Sequence, residues 1–230
     1  MSDTVPAMSR PISELAGEAE IERLRAEQVV ELMLEHLHPE VGLACSFQRE
    51  ESVLVDMLLT REPRARVFAL DTHVLFPETY SVWRELEQRY DMRVEIYQGP
   101  SLGRQAAAHG VALWERNPNL CCAIRKVEPL GRALAGLDGW ITGVRREQSP
   151  ARAATEKLGW DERHDLWKAN PLADWTSDQV DAYIAERGLP VNELHARGYA
   201  SIGCTHCTSP GNGRSGRWVG TDKTECGLHT

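Results

Sequence analysis

The sequence predicts an α/β protein with a parallel sheet flanked by helices, and three observations carry that prediction. Short apolar runs alternate along the chain with stretches of helical period, which implies parallel strands joined by crossover helices. The runs end in polar residues, Ser46, Asp71 and Arg145, at the edge where such sheets bind ligands. No internal repeat or low-complexity tract breaks the series.

The elements follow in order. Ile21, Leu24, Val29, Leu32, Leu34 and Leu37 recur near helical spacing, so a helix is expected over Ile21 to Leu37. Val41 to Phe47 is a short apolar run, followed by a helical face of Val53, Leu54, Met57 and Leu58. This strand–turn–helix points backbone N–H groups and the Ser46 hydroxyl at the helix start, either to meet an anion or as a simple cap. Cys45, within the strand, reads as a small buried hydrophobe. Val67 to Thr72 is the second strand, and Pro77 opens a helix running to Tyr90. Val94 to Tyr97 is the third strand. A helix from Ser101 to His109, a helical stretch from the tandem cysteines to Leu134, and the strand Trp140 to Val144 continue the alternation. Asp165 to Pro171 reads as a further strand, and Thr176 or Ser177 caps a helix to Arg187.

With 230 residues the chain can bury one good core, so one domain is expected over 21–208, after a flexible N-terminus (1–20) and before a mobile tail (209–230). The formal net charge of −8 disfavours duplex nucleic acid as a partner. Without a long apolar run or a cationic leader, a membrane span is not expected, and the reducing cytoplasm is the expected compartment. Six cysteines there read as metal or redox chemistry.

Four of the six form two clips, Cys121 with Cys122 and Cys204 with Cys207. Four thiolates suit a structural zinc or an iron–sulfur cluster. Side chains of adjacent residues diverge, and an adjacent pair fits two corners of a [4Fe–4S] cube better than one tetrahedral ion. Arg145, Arg146 and Arg152 follow the predicted strand Trp140 to Val144 together, as a solvated loop or as forked donors for sulfate or phosphate. The Gly- and Ser-rich stretch from Ser209 to Gly220 predicts few core contacts for the tail. Cys226 lies there with Lys223 and His229 nearby. It is expected to be exposed, either as a nucleophile held partly as thiolate or as a tail cysteine without a role.

Together these motifs resemble the assimilatory sulfonucleotide reductases, in particular the [4Fe–4S] adenylyl-sulfate (APS) reductases. The residues that carry the resemblance are Ser46-Phe47, Leu70-Asp71-Thr72 with Pro77 to Tyr80, Cys121-Cys122 with Arg125-Lys126, Arg145 to Ser149, Ser201 to Thr208, and Glu225 to His229. The resemblance implies an adenine-nucleotide alpha hydrolase-like fold. The chain has Phe47-Gln48-Arg49 where ATP-cleaving relatives have a glycine-rich loop, and His73 where the family pattern has glycine. It further implies that Cys226 attacks the sulfur of APS, and that thioredoxin, or a glutaredoxin-like dithiol, releases sulfite from the resulting S-sulfocysteine. Lys126, Arg214, Arg217 and His229 would hold sulfate and phosphate oxygens, with Ser46 and Arg152 in the nucleotide site and Cys121, Cys122, Cys204 and Cys207 on the cluster. A homo-oligomer is in keeping with the family. The rival readings are reduction of the 3′-phosphorylated nucleotide (PAPS) by the same fold, ATP-dependent sulfur transfer or adenylation, and a zinc-stabilised binding module. Family members confined to PAPS typically lack the four cluster cysteines.

Overall fold

The computed structural model describes residues 18–229, so the flexible stretch expected over 1–20 falls almost wholly outside it. Helices α1 (Glu18–Ile21) and α2 (Ala26–Leu37) divide the first expected helix in two. The chain continues through β1 (Val41–Ala44), α3 (Arg49–Leu59), β2 (Arg66–Asp71), α4 (Pro77–Tyr90), β3 (Glu95–Gln98), α5 (Leu102–His109), α6 (Leu113–Arg116) and α7 (Pro118–Cys122). A π-helical turn, Ala123–Val127, leads into α8 (Glu128–Leu134), then β4 (Gly139–Ile141), β5 (Leu158–Asp161), β6 (Leu166–Ala169) and α9 (Ser177–Arg187).

Local chemistry accounts for the helix ends. Pro77 occupies the first turn of α4, where its missing N–H is harmless, and Asp91 closes that helix in the left-handed region. Thr176 accepts from Gln179 N at the start of α9, and Gly188 ends it at φ 56°. Asn117 Oδ1 accepts from Leu120 N at 2.9 Å, starting the short helix that carries the tandem cysteines.

The strands form one sheet in the order β3-β2-β1-β4-β6-β5, parallel except for β5. The chain winds outward from β1 to β3 on one side and crosses back to β4 on the other. The gap beyond the carboxyl ends of β1 and β4 is therefore the switch point where open sheets bind ligands. Val41, Leu43, Val53, Leu54 and Ile141 are all but inaccessible in the core, and Cys45 joins them as expected. Asp56, buried on α3, accepts from Tyr90 Oη at 2.6 Å and Tyr183 Oη at 2.8 Å, tying α3 to α4 and α9.

The sequence reading has no counterpart for β5, which pairs antiparallel with β6 through a polar connection. The expected helix from the tandem cysteines to Leu134 is interrupted by the π turn, which is the segment that carries Arg125 and Lys126.

Candidate active site

Beyond the carboxyl ends of β1 and β4 lies a cavity of about 410 Å³. Ser46 borders it after β1, Thr142 and Gly143 after β4, and Lys126, Arg217 and Cys226 at the far side. Two backbone corners follow the ends of β1 and β2. Phe47 (φ 60°) and His73 (φ 61°) both take the left-handed conformation that glycine adopts more easily. Local contacts hold them there. Phe47 stacks on Trp83 with centroids 4.8 Å apart, and His73 N donates to Asp71 Oδ1 at 2.8 Å. His73 thus adopts the turn that the family's glycine would make without strain.

The start of α3 meets a carboxylate from its own first turn. Ser46 Oγ donates to Glu51 Oε2 at 2.9 Å, and Gln48 N donates to the same oxygen at 3.2 Å. Burial, and then the charge of Glu50, pushes Glu51 up to about 7. The raised value means that the folded state keeps a proton the unfolded chain gives up. This contribution to stability is full below the ordinary value of 4.5 and is lost as pH rises towards 7. Unfolding titrations from pH 5 to 8 should show wild-type stability falling relative to Glu51→Gln, with a slope of at most about 1.4 kcal/mol per pH unit.

Arg145, only 3% exposed, closes the wall of the cavity rather than facing solvent. Its Nε donates to Glu50 Oε1 at 2.9 Å and its Nη1 to Glu147 Oε2 at 2.7 Å. Arg145→Ala would leave Glu50 buried without its partner, at a cost of about 3 kcal/mol in chemical unfolding.

The two cysteine clips meet although more than eighty residues of sequence separate them. Cys121, Cys122, Cys204 and Cys207 line one small chamber together with Arg125, Lys126, Arg217 and Trp218. An antiparallel bridge between Leu75 and Cys204 anchors the second clip beside the end of β2. The thiols sense one another: burial, then the charges of Cys204 and Cys122, pushes Cys207 up to about 11. Among the described residues no three His, Cys, Asp or Glu groups form a set that closes on a single metal ion. Arg125 is 1% exposed, and among the described residues only its Nη1 has a hydrogen-bond partner, Thr72 O at 2.8 Å. Its Nε and Nη2, like Trp218 Nε1, are buried without one. A buried guanidinium beside four thiols fits an anionic thiolate-ligated group in the chamber.

Lys126 and Arg217 line both the chamber and the larger cavity. Burial opposes the Lys126 charge, but the thiols of Cys204, Cys226 and Cys122 outweigh it and raise its pKa. Arg217 donates to Ser201 Oγ at 3.2 Å and lies 4.5 Å over the Trp218 ring. The guanidinium passes so close to Gly203 that a Cβ there would clash with Nη2.

The tail does not have the few core contacts predicted from its composition. Cys226 is 9% exposed rather than open to solvent, packed with Cys122 and Trp218. His229 stacks on Trp140 at 5.6 Å, and Leu228 rests on the cluster around Phe68 and Leu130. A composition poor in apolar residues misled because a few aromatic and aliphatic anchors suffice to seat the segment. Burial, then the charges of Lys168, Arg152 and Arg214, holds the pKa of His229 well below the imidazole range, so it is neutral near pH 7. Burial first, then the charge of Arg152, lowers Arg214 to about 10, which leaves it cationic.

Every site residue expected from the sequence borders one of the two spaces, but not every one presents free donors. The Ser46 hydroxyl is turned to Glu51, and Arg152 is paired with Glu225. The sequence reading assigned no role to Glu225, Arg163 or Trp140. Trp140 could have been singled out as a large aromatic at a strand end. The partners of Glu225 and Arg163 are distant in sequence and leave no local signal.

A parallel sheet with a cation-lined cavity at its switch point defines a nucleotide- or anion-binding α/β protein. Residues 40–210 match the family model described as phosphoadenosine phosphosulfate reductase domain, and the chain belongs to that family. It is 48% identical to an adenosine 5′-phosphosulfate reductase of Salinibacter ruber over 77% of this chain and 73% of that protein. It is 44% identical to one of Oceanobacillus iheyensis over 89% and 88%, and 49% identical to a phosphoadenosine 5′-phosphosulfate reductase of Gloeobacter violaceus over 81% of both. A crystal structure of phosphoadenylyl-sulfate reductase from Candida auris, in a phosphate complex, superimposes with TM-score 0.75 at 30% identity over 90% of this chain and all of that one. FMN adenylyltransferase of Candida glabrata shares the fold alone, with TM-score 0.59 at 14% identity over 81% of this chain and 65% of that one.

Proposed function

We propose that the protein reduces APS to sulfite and AMP through Cys226, with electrons from a dithiol donor of the thioredoxin type. The observation that carries this reading is the placement of Cys226 at a cavity shared with Lys126, Arg217 and His229, on the ligand edge of a sulfonucleotide reductase fold. The Cys226 thiolate attacks the sulfur of the sulfate group, an S–S bond forms, and the S–O bond to phosphate breaks. AMP leaves with the electron pair of that bond. Lys126, Arg214 and Arg217 neutralise the oxyanions as charge shifts onto the phosphate, and neutral His229 supplies an N–H. Ser46 borders the nucleotide end. A donor thiolate then attacks the Cys226 sulfur and displaces sulfite, and the second donor thiol resolves the mixed disulfide, returning the Cys226 thiol and leaving the donor oxidised. Cys226 has to leave its seat for that exchange, which asks the docked tail to swing outward.

The four-cysteine chamber fits a [4Fe–4S] cluster held by Cys121, Cys122, Cys204 and Cys207. Four thiols on one chamber with a buried guanidinium beside them suit an anionic thiolate-ligated cluster, and the adjacent pair Cys121-Cys122 suits two iron corners better than one zinc ion. Bound there, a cluster would supply structural support and an electrostatic field, since both electrons come from the dithiol. The cysteine set also favours APS over PAPS, because family members confined to PAPS typically lack it. Six cysteines free of disulfides suit a reducing cytoplasm, and among the described residues no helix is long and apolar enough to cross a membrane.

The test is a single turnover of anaerobically purified protein with sulfur-labelled APS and, separately, PAPS, followed by mass analysis of the tail peptide. A sulfo adduct on Cys226 with APS alone is the expected result. An adduct with both nucleotides widens the substrate range, and no adduct with either refutes the mechanism.

A further inference from the structure

Glu225, immediately before Cys226, takes no part in the chemistry above, yet it makes the densest set of ionic contacts in the tail. Arg152 grips its carboxylate as a fork, Nε to Oε1 at 3.1 Å and Nη2 to Oε2 at 3.0 Å. Arg214 Nη2 donates to Oε2 at 2.9 Å and to Thr224 O at 3.2 Å. The three side chains are only 11–14% exposed, where forked charge-assisted bonds are strong. The third nitrogen of Arg152, Nη1, is engaged by Gln148 Oε1, so each of its nitrogens has an acceptor within the protein. On the other side of Cys226, Arg163 Nη1 donates to Gly227 O at 2.9 Å. The reactive cysteine is thus bracketed by two arginine-held points, one on each neighbouring residue.

We infer that Glu225 is a positioning residue: through Arg152 and Arg214 it seats the tail so that Cys226 faces the cavity. The inference rests on Cys226 being the nucleophile. Without the carboxylate, Arg152 and Arg214 would face each other as like charges, and the segment would lose its forked anchor while Trp218 and His229 still held it at either end. Cys226 would then sample solvent more often and the attacking geometry less often. Lys126, Arg217 and His229 are untouched, so the main loss falls on how often Cys226 is presented to the substrate.

The test compares wild type, Glu225→Gln, Glu225→Asp, Arg152→Gln and the double variant Glu225→Gln/Arg152→Gln, all purified with their metal complement. Without nucleotide, iodoacetamide labelling of Cys226 should quicken about tenfold in Glu225→Gln and in Arg152→Gln, with the double variant no faster than the quicker single one. With saturating APS, adduct formation should slow about tenfold in Glu225→Gln and recover in part in Glu225→Asp, while AMP affinity in these two variants stays within about twofold of wild type. Unchanged labelling in Glu225→Gln, multiplying effects in the double variant, or AMP binding about tenfold weaker in Glu225→Gln would each overturn the inference. Labelling requires no turnover. If wild type forms no adduct while labelling follows the expected pattern, the docking role stands and the nucleophile assignment fails.

Discussion

Replacing Cys226 with serine is expected to abolish turnover, with a loss of about 10⁴-fold or more. The reason lies in the bond that must form. The sulfo group has to end on a sulfur that a second thiol can attack, and a serine oxygen offers no thiolate near pH 7 and no S–S bond for exchange. The side chains have nearly the same shape, and Cys226 contributes only a small contact to Cys122 and Trp218. Cys226→Ser should therefore keep its fold, its metal content and its affinity for AMP while forming no adduct in a single turnover. An adduct elsewhere on the chain, or turnover above about a hundredth of wild type, would sink the assignment.

Cys204→Ser should act through the other space. Cys204 is buried at the bridge to Leu75, its thiol lies 3.4 Å from Thr72 Oγ1, and it helps to raise the pKa of Lys126. With the proposed cluster in the chamber, losing the Cys204 thiolate should take iron from about four per chain to near none and lower activity by at least about 100-fold, the two falling together. Arg125 would then lie buried beside a chamber lacking its anion, so the midpoint of thermal unfolding should fall as well. Iron and activity are to be measured on the same anaerobic preparation. Activity retained without iron would show that the cluster is dispensable, and one zinc per chain without iron would replace the cluster with a structural zinc.

Much of the molecule was legible from local pattern. The apolar runs at β1, β2, β3 and β4 and the helical faces at α2 and α3 needed only periodicity, because each element buries one side against a common core, and Pro77 and the Thr176 cap marked α4 and α9. The polar strand ends found the ligand edge for the same reason. What escaped was set by partners distant in sequence. β5 is short and half exposed, and it exists because β6 offers an edge to pair with. The left-handed corners at Phe47 and His73 run against residue preference and are held by Trp83 and Asp71. A tail of glycine and serine reads as loose until Trp140, Arg152 and Arg163 are seen to receive it.

By itself, then, the sequence determined the α/β class, the two cysteine clips and the terminal cysteine, because these follow from residue type and spacing. Only the tertiary structure decided that the clips share one chamber, that Lys126 and Arg217 stand between it and the cavity, and that Glu225 holds the tail in place. These depend on contacts between segments brought together only when the apolar faces are buried, and no local pattern encodes them.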